Sequence, residues 1–153
     1  MKNRKNIVLS LLLTAVSTIF FSFTTNWGGE GFEVYLNNKL VVQKFGPEMN
    51  TVQTLQLADA TAEDQLIIKY HHCGRVGKNR VITIKDGQNK ILKEFRYNDS
   101  NKPVSAMSCG VKDIINLKKG NTTSLKLYYT STELPAGRLL AAISFGATGN
   151  TTP

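Results

Sequence analysis

Residues 80–97 read RVITIKDGQNKILKEFRY, and this stretch decides the class of fold. Apolar side chains alternate with polar ones on both sides of Asp86-Gly87, a dipeptide that favours the tight turn of a β-hairpin. The apolar positions that share a face are Ile82 and Ile84 before the turn, and Ile91, Phe95 and Tyr97 after it. The stretch therefore predicts two adjacent antiparallel strands with one buried face.

The same pattern recurs from Phe32 onwards, where short alternating segments are separated by turn residues such as Asn37-Asn38 and Gly46-Pro47. No segment carries the sustained apolar spacing of an amphipathic helix, and Val111–Leu117 is ambiguous between a strand and one helical turn. Parallel strands need long crossovers, and no crossover helix is visible. We therefore predict an all-β fold: a single antiparallel β-sandwich, Ig-like or jelly-roll-like, of about eight or nine short strands.

Length and composition indicate one globular domain. The chain has 153 residues, of which 41% are hydrophobic and 20% charged, so a disordered or fibrous protein is excluded. Two cysteines are too few for a disulfide-dense miniprotein. The predicted boundaries are a signal peptide over 1–25, a β-sandwich domain over 27–146 and a flexible C-terminal tail over 147–153.

The N-terminus has the pattern of a secretory signal peptide. A basic segment, Met1–Asn6, precedes the almost wholly apolar stretch Ile7–Phe23, and the next charge is Glu30. This arrangement predicts that the protein is secreted or periplasmic. The apolar stretch has 17 residues, near the lower limit for a membrane-spanning helix, so an uncleaved N-terminal membrane anchor is the alternative.

The charge balance depends on this segment. The chain has 19 basic and 11 acidic residues, and three of the basic ones, Lys2, Arg4 and Lys5, belong to the signal peptide. The remaining 16 basic and 11 acidic residues leave a net charge of +5 instead of +8. Export and this modest charge together argue against a nucleic-acid partner.

Cys73 and Cys109 predict a single structural disulfide, because two cysteines in an exported protein most simply pair with each other. The alternative is a metal site. Tyr70-His71-His72-Cys73 holds three potential ligands in a row, and His71, His72 and Cys73 could join Cys109 around zinc or copper. That alternative requires reduced thiols, which an oxidising compartment disfavours.

Two sets of residues are candidates for ligand binding. Arg75, Lys78 and Arg80 make the loop Gly74–Arg80 basic, so it could bind an acidic polysaccharide, a lipid headgroup or an acidic protein surface. Aromatic rings stack on sugars, and the aromatic residues expected to be exposed are Trp27, Tyr35 and Tyr128.

Signals for catalysis are weak. The chain has two histidines and no Gly-x-Ser-x-Gly motif, and no spacing of carboxylates selects a catalytic pair. We therefore expect an exported, non-catalytic binding or accessory domain without a cofactor. Its partner would be a polysaccharide, an acidic surface or another exported protein, with the membrane involved only if the N-terminal segment is uncleaved. The alternatives are the metal-binding protein and a small carbohydrate-active hydrolase.

Overall fold

The computed structural model describes residues 29–118 and 124–146. Within them the fold is all-β, as the sequence predicts. The strands are β1 Glu30–Leu36, β2 Lys39–Phe45, β3 Gln53–Gln56, β4 Gln65–His72, β5 Val81–Lys85, β6 Ile91–Arg96, β7 Met107–Gly110, β8 Ser124–Ser131 and β9 Leu134–Ser144. The predicted signal peptide and C-terminal tail lie outside the described residues.

In the described residues, two short helical segments accompany the strands. A 3-10 helix, Gly46–Asn50, follows β2, and a five-residue α-helix, α1, spans Val111–Ile115 after β7. The ambiguous segment at Val111 thus begins as a helical turn, because Val111 and Ile114 are three residues apart and both are buried. No helix among the described residues is long and apolar enough to cross a bilayer.

The strands form two sheets, in the orders β2-β1-β4-β7 and β3-β9-β8-β5-β6. One pair departs from the prediction of antiparallel pairing: β3 runs parallel to β9, with Gln53 opposite Ala141 and Gln56 opposite Ser144. Alternation of side chains reports which face of a strand is buried but not the strand's direction. Five strands separate β3 from β9 along the chain, so this pair needs no single crossover helix.

Both predicted hairpin turns are present. Asn37 and Asn38 have φ angles of 48° and 68°, the left-handed region that a two-residue hairpin turn requires. After Asp86, the left-handed residue is Asn89, with a φ of 66°, and not the glycine. The Asp86 carboxylate holds this turn by accepting hydrogen bonds from the N–H groups of Gln88 at 3.0 Å and Lys90 at 2.9 Å.

Apolar side chains from both sheets join one buried cluster, so the fold is β-sandwich-like. The alternation in β4 and β8 predicts this burial correctly: the side chains of both strands that point inward include Leu66, Ile68, Tyr70, Leu125, Leu127 and Tyr129. Each fully buried Leu or Ile stabilises the fold by about 1.5–3 kcal/mol relative to exposure.

The two ends of the sheets carry different groups. At the first end, β4 ends at His72, and three segments meet there: the loop 73–80, the segment 97–106 and the turn at Thr132-Glu133. This end is called the His72 end. At the second, β4 begins at Gln65, next to α1 and the Asn37-Asn38 turn; this is called the Gln65 end. The candidate site lies at the His72 end.

Candidate functional site

The predicted disulfide is absent, because Cys73 and Cys109 are both free thiols. Cys109 lies in β7 opposite Leu66, whereas Cys73 follows His72 at the other end of β4. The rise of a strand separates Leu66 from His72 by roughly 20 Å. A disulfide needs Cα atoms within about 7 Å of each other. The prediction was wrong because the sequence did not reveal the register of β7 on β4.

The two thiols have different surroundings. Cys109 is buried, and its burial, together with the nearby Asp113 carboxylate, raises its pKa to about 12. That thiol therefore stays protonated and unreactive at neutral pH. Cys73 is exposed, in a turn where its φ of 54° is followed by 82° at Gly74.

The four residues of the alternative metal site are not brought together. His71 and His72 are neighbours on β4, so their side chains leave opposite faces of the sheet, and Cys109 lies towards the Gln65 end. In the residues described, no group of three or more His, Cys, Asp or Glu side chains is placed to hold a metal ion.

His71 lies on the outer face of its sheet. Its Nε2 is 3.5 Å from Glu33 Oε1, and its ring meets the Phe45 ring edge-on with centroids 5.1 Å apart. Phe45 reaches across β1 only because Gly31 has no side chain, since a Cβ there would collide with the Phe45 ring. Glu33 also accepts a hydrogen bond of 2.6 Å from the Tyr35 hydroxyl, and this bond raises the pKa of Tyr35.

The aromatic residues predicted to bind sugars do not form one platform. Tyr35 lies in β1, with Lys69 Nζ 4.7 Å from its ring centroid. Tyr128 lies in β8 of the other sheet, where Lys85 Nζ sits 4.1 Å from its ring centroid. Trp27 lies outside the described residues.

The basic loop 74–80 is held in place by hydrogen bonds from its neighbours. The backbone N–H of Lys78 donates to Glu133 Oε2 at 2.9 Å, and the backbone N–H of Asn79 donates to Asp99 Oδ1 at 2.8 Å. Thr132 N–H donates to the Lys78 carbonyl at 2.8 Å. The loop therefore has a defined path, and the side chains of Arg75 and Lys78 are exposed on it.

Arg80, the third predicted cation, points inward and is only 7% exposed. Its Nη1 donates to the Ser105 carbonyl at 3.2 Å and its Nη2 to the Asn98 carbonyl at 2.7 Å. Its Nε is buried without a hydrogen-bond partner. Among the residues described, no carboxylate lies within 4.0 Å of the guanidinium.

Beside Arg80 lies a shallow hollow between the loop 73–80 and the segment 97–106. Its wall contains no carboxylate, and the side chains that matter for chemistry are Arg80, Lys102, Ser105, His72 and Tyr129. The space they leave is narrower than a water molecule. Lys102 and Ser105 lie in a polar segment without a motif, so no pattern in the sequence singles them out.

The floor of the hollow is a buried polar cluster that joins the two sheets. His72 Nε2 lies 2.8 Å from the Tyr129 hydroxyl, and the rings of Tyr70 and Tyr129 stack with centroids 4.3 Å apart. Burial lowers the pKa of His72, so the imidazole is neutral at neutral pH. Gly77 covers the cluster closely, since a Cβ there would come within 2.8 Å of His72 Nε2.

An ion pair between Arg138 and Glu30 lies at the edge of this cluster. Arg138 Nε donates to the Tyr70 hydroxyl at 3.0 Å, and Arg138 Nη2 donates to Glu30 Oε2 at 3.1 Å. The Tyr70 hydroxyl donates to the other oxygen of Glu30. Arg138 is thus paired with a carboxylate, whereas Arg80 is not.

The geometry gives little support to the hydrolase alternative. Ser131 Oγ lies 3.5 Å from His72 Nε2, but both side chains are buried and the nitrogen is also shared with Tyr129. A Ser–His–Asp mechanism needs a carboxylate that orients the imidazole. Within the described part of the chain, no carboxylate lies within 4.0 Å of the His72 ring nitrogens.

Comparison with known proteins adds no functional assignment. No family of known proteins matches the chain, and no curated protein sequence matches it. The function is therefore inferred from the geometry of the His72 end.

Proposed function

We propose that this protein is an exported, non-catalytic binding domain that recognises an acidic polysaccharide at the His72 end. The N-terminal pattern of a signal peptide supports export. An Ig-like or jelly-roll-like sandwich would serve as the rigid scaffold that presents the loops.

The observation that carries the proposal is a set of cations without ionic partners. Arg75, Lys78 and Lys102 are exposed at the His72 end, and no described carboxylate lies within 4.0 Å of their charged groups. The acids nearby, Glu133 and Asp99, accept hydrogen bonds from backbone N–H groups of the loop. These acids fix the loop while leaving the cations available to a ligand.

A polysaccharide with repeated charges suits this arrangement better than a compact anion. The cations lie on two separate segments, the loop 73–80 and the segment 97–106, so a chain with charges at intervals contacts more of them at once. Because the loop is already ordered, binding loses less conformational entropy than it would with a flexible loop.

The test is a binding measurement with two polyanions, dextran sulfate and polygalacturonate, and with uncharged dextran as the negative control. The variant Arg75→Glu/Lys78→Glu should weaken the binding of the polyanions by more than tenfold, because each cation near an anionic surface contributes about 1 kcal/mol. The matched control is Lys112→Glu, an exposed charge reversal on α1 at the Gln65 end.

Binding of both polyanions should decrease steeply with added salt, as expected for charge neutralisation. Unchanged affinity in the double variant, or an equal loss in Lys112→Glu, would show that the loop is not the binding surface.

A further inference from the structure

We propose that the hollow beside Arg80 is a specific subsite for a single sulfate or carboxylate group. The inference rests on the proposed function, since the subsite would receive one acidic group of the bound chain. It goes further because it predicts saturable binding of a small anion, which exposed surface cations alone do not provide.

The first argument is the state of Arg80. Removing a guanidinium from water is costly unless hydrogen bonds and a counter-charge replace its hydration. Two backbone carbonyls, of Ser105 and Asn98, satisfy its Nη atoms. The Nε–H remains buried without a partner, and the described residues supply no counter-ion. An anion in the hollow would supply both a hydrogen-bond acceptor for the Nε–H and a counter-charge for the guanidinium.

The second argument is the composition of the wall. Lys102 and Ser105 line the hollow together with Arg80, so residues that carry an ammonium and a hydroxyl border it. Hydrogen bonds between ionised groups are about twice as strong as those between neutral groups. No carboxylate lines the hollow, so its wall carries no negatively charged side chain.

The size of the hollow restricts what enters. The space is narrower than a water molecule, so a sugar ring does not fit. Arg80 holds the segment between Asn98 and Ser105 at its two ends, whereas Lys102 and Pro103 in the middle are exposed. A displacement of this middle part would admit one terminal group, while the body of the polysaccharide stays at the surface.

The test is an NMR titration of the full chain with sodium sulfate and, separately, with sodium acetate, at ionic strength matched with sodium chloride. The signal to follow is the Arg80 Nε–H, which should shift and saturate as an anion reaches it. The sulfate and acetate arms decide which group the subsite prefers.

Two variants separate the subsite from the surface cations. Lys102→Met should weaken the binding of the small anion by about tenfold, the effect of losing about 1.4 kcal/mol. Lys112→Met, an exposed change on α1 at the Gln65 end, should leave that affinity unchanged. Both positions are exposed, so neither change disturbs the core, and the same spectra report whether each variant is folded.

The outcomes distinguish this inference from the proposed function. If dextran sulfate binds but neither small anion gives a saturable shift of the Arg80 signal, the subsite is refuted and the proposed function remains. If Lys112→Met weakens the binding of the small anion as much as Lys102→Met does, the binding is general attraction by positive charge, and the subsite is again refuted. If no polyanion and no small anion binds, both proposals fail.

Discussion

His72 shows how strongly a single residue depends on its surroundings. It is one of two histidines, and it follows His71 directly in the sequence. His71 lies on the outer face of the sheet beside Glu33, whereas His72 is buried against Tyr129. Adjacent positions on a strand face opposite sides, so two identical side chains have opposite environments.

This difference predicts how stability depends on pH. Burial lowers the pKa of His72 from its ordinary value of 6.5, so below pH 6.5 the unfolded chain binds a proton that the folded chain does not. The free energy of unfolding should therefore fall as the pH drops from 6.5 towards the lowered pKa that His72 has in the folded state. Above pH 6.5 the stability that neutral His72 contributes should be fully present. Urea unfolding on both sides of pH 6.5 measures this.

The two histidines provide matched variants for that measurement. His72→Gln should remove part of the decrease in stability at acidic pH, although its stability at neutral pH is lower because the contacts with Tyr129 are altered. His71→Gln should keep the contribution of His72. If His72→Gln loses stability with falling pH as steeply as the wild type, the decrease comes from other groups.

At the scale of the elements, the loop 73–80 depends on close approach to the strands beneath it. Gly77 is buried over the ends of β4 and β8, where a Cβ would lie 2.8 Å from His72 Nε2 and 3.0 Å from the Tyr129 hydroxyl. Only glycine leaves the His72–Tyr129 contact intact with the loop in this position. The loop, its basic residues and the buried cluster are therefore one structural unit.

The close approach at Gly77 predicts the effect of adding a single methyl group at this position. Gly77→Ala should destabilise the protein by about 1–3 kcal/mol, because the added group forces the loop or the two side chains apart. Thermal or urea unfolding measures the loss, and polyanion binding should weaken with it as the loop shifts.

The matched control is Gly87→Ala in the turn between β5 and β6. Nothing lies within 4 Å of the added Cβ there, and Gly87 is not in the left-handed region. That change should be neutral or stabilise the protein by about 0.4–1 kcal/mol. Equal destabilisation by the two changes would mean that close approach at Gly77 is not what limits this loop.

At the scale of the whole molecule, the arrangement of the strands decides the state of the cysteines. The antiparallel pairing of β4 with β7 places Cys109 opposite Leu66, far from Cys73. Both thiols are free, but only Cys73 is exposed.

Alkylation without reductant tests this arrangement. The folded protein should take up one alkyl group, at Cys73, because Cys109 is buried and burial raises its pKa to about 12. After denaturation, still without reductant, it should take up two, and intact mass spectrometry counts them. If alkylation requires prior reduction, a disulfide exists and the register of β7 on β4 is incorrect.

The features of the fold that the sequence predicted correctly depend on residues that are close together in the chain. Alternation in β4 and β8 identified the buried faces, and Asn37-Asn38 and Asp86-Gly87 marked two of the hairpins. These features are local: the pleat fixes which side chains share a face, and short turns require residues that tolerate particular backbone angles.

Other features of the fold depend on residues that are far apart in the chain. The parallel pairing of β3 with β9, the separation of the two cysteines and the burial of Arg80 all follow from how the strands are ordered in the sheets. Alternation fixes the face of a strand but neither its direction nor its neighbours. Local patterns in the sequence therefore predict an all-β chain with a basic loop, whereas the packing of distant segments turns Arg80 inward and places Lys102 and Ser105 at the same hollow.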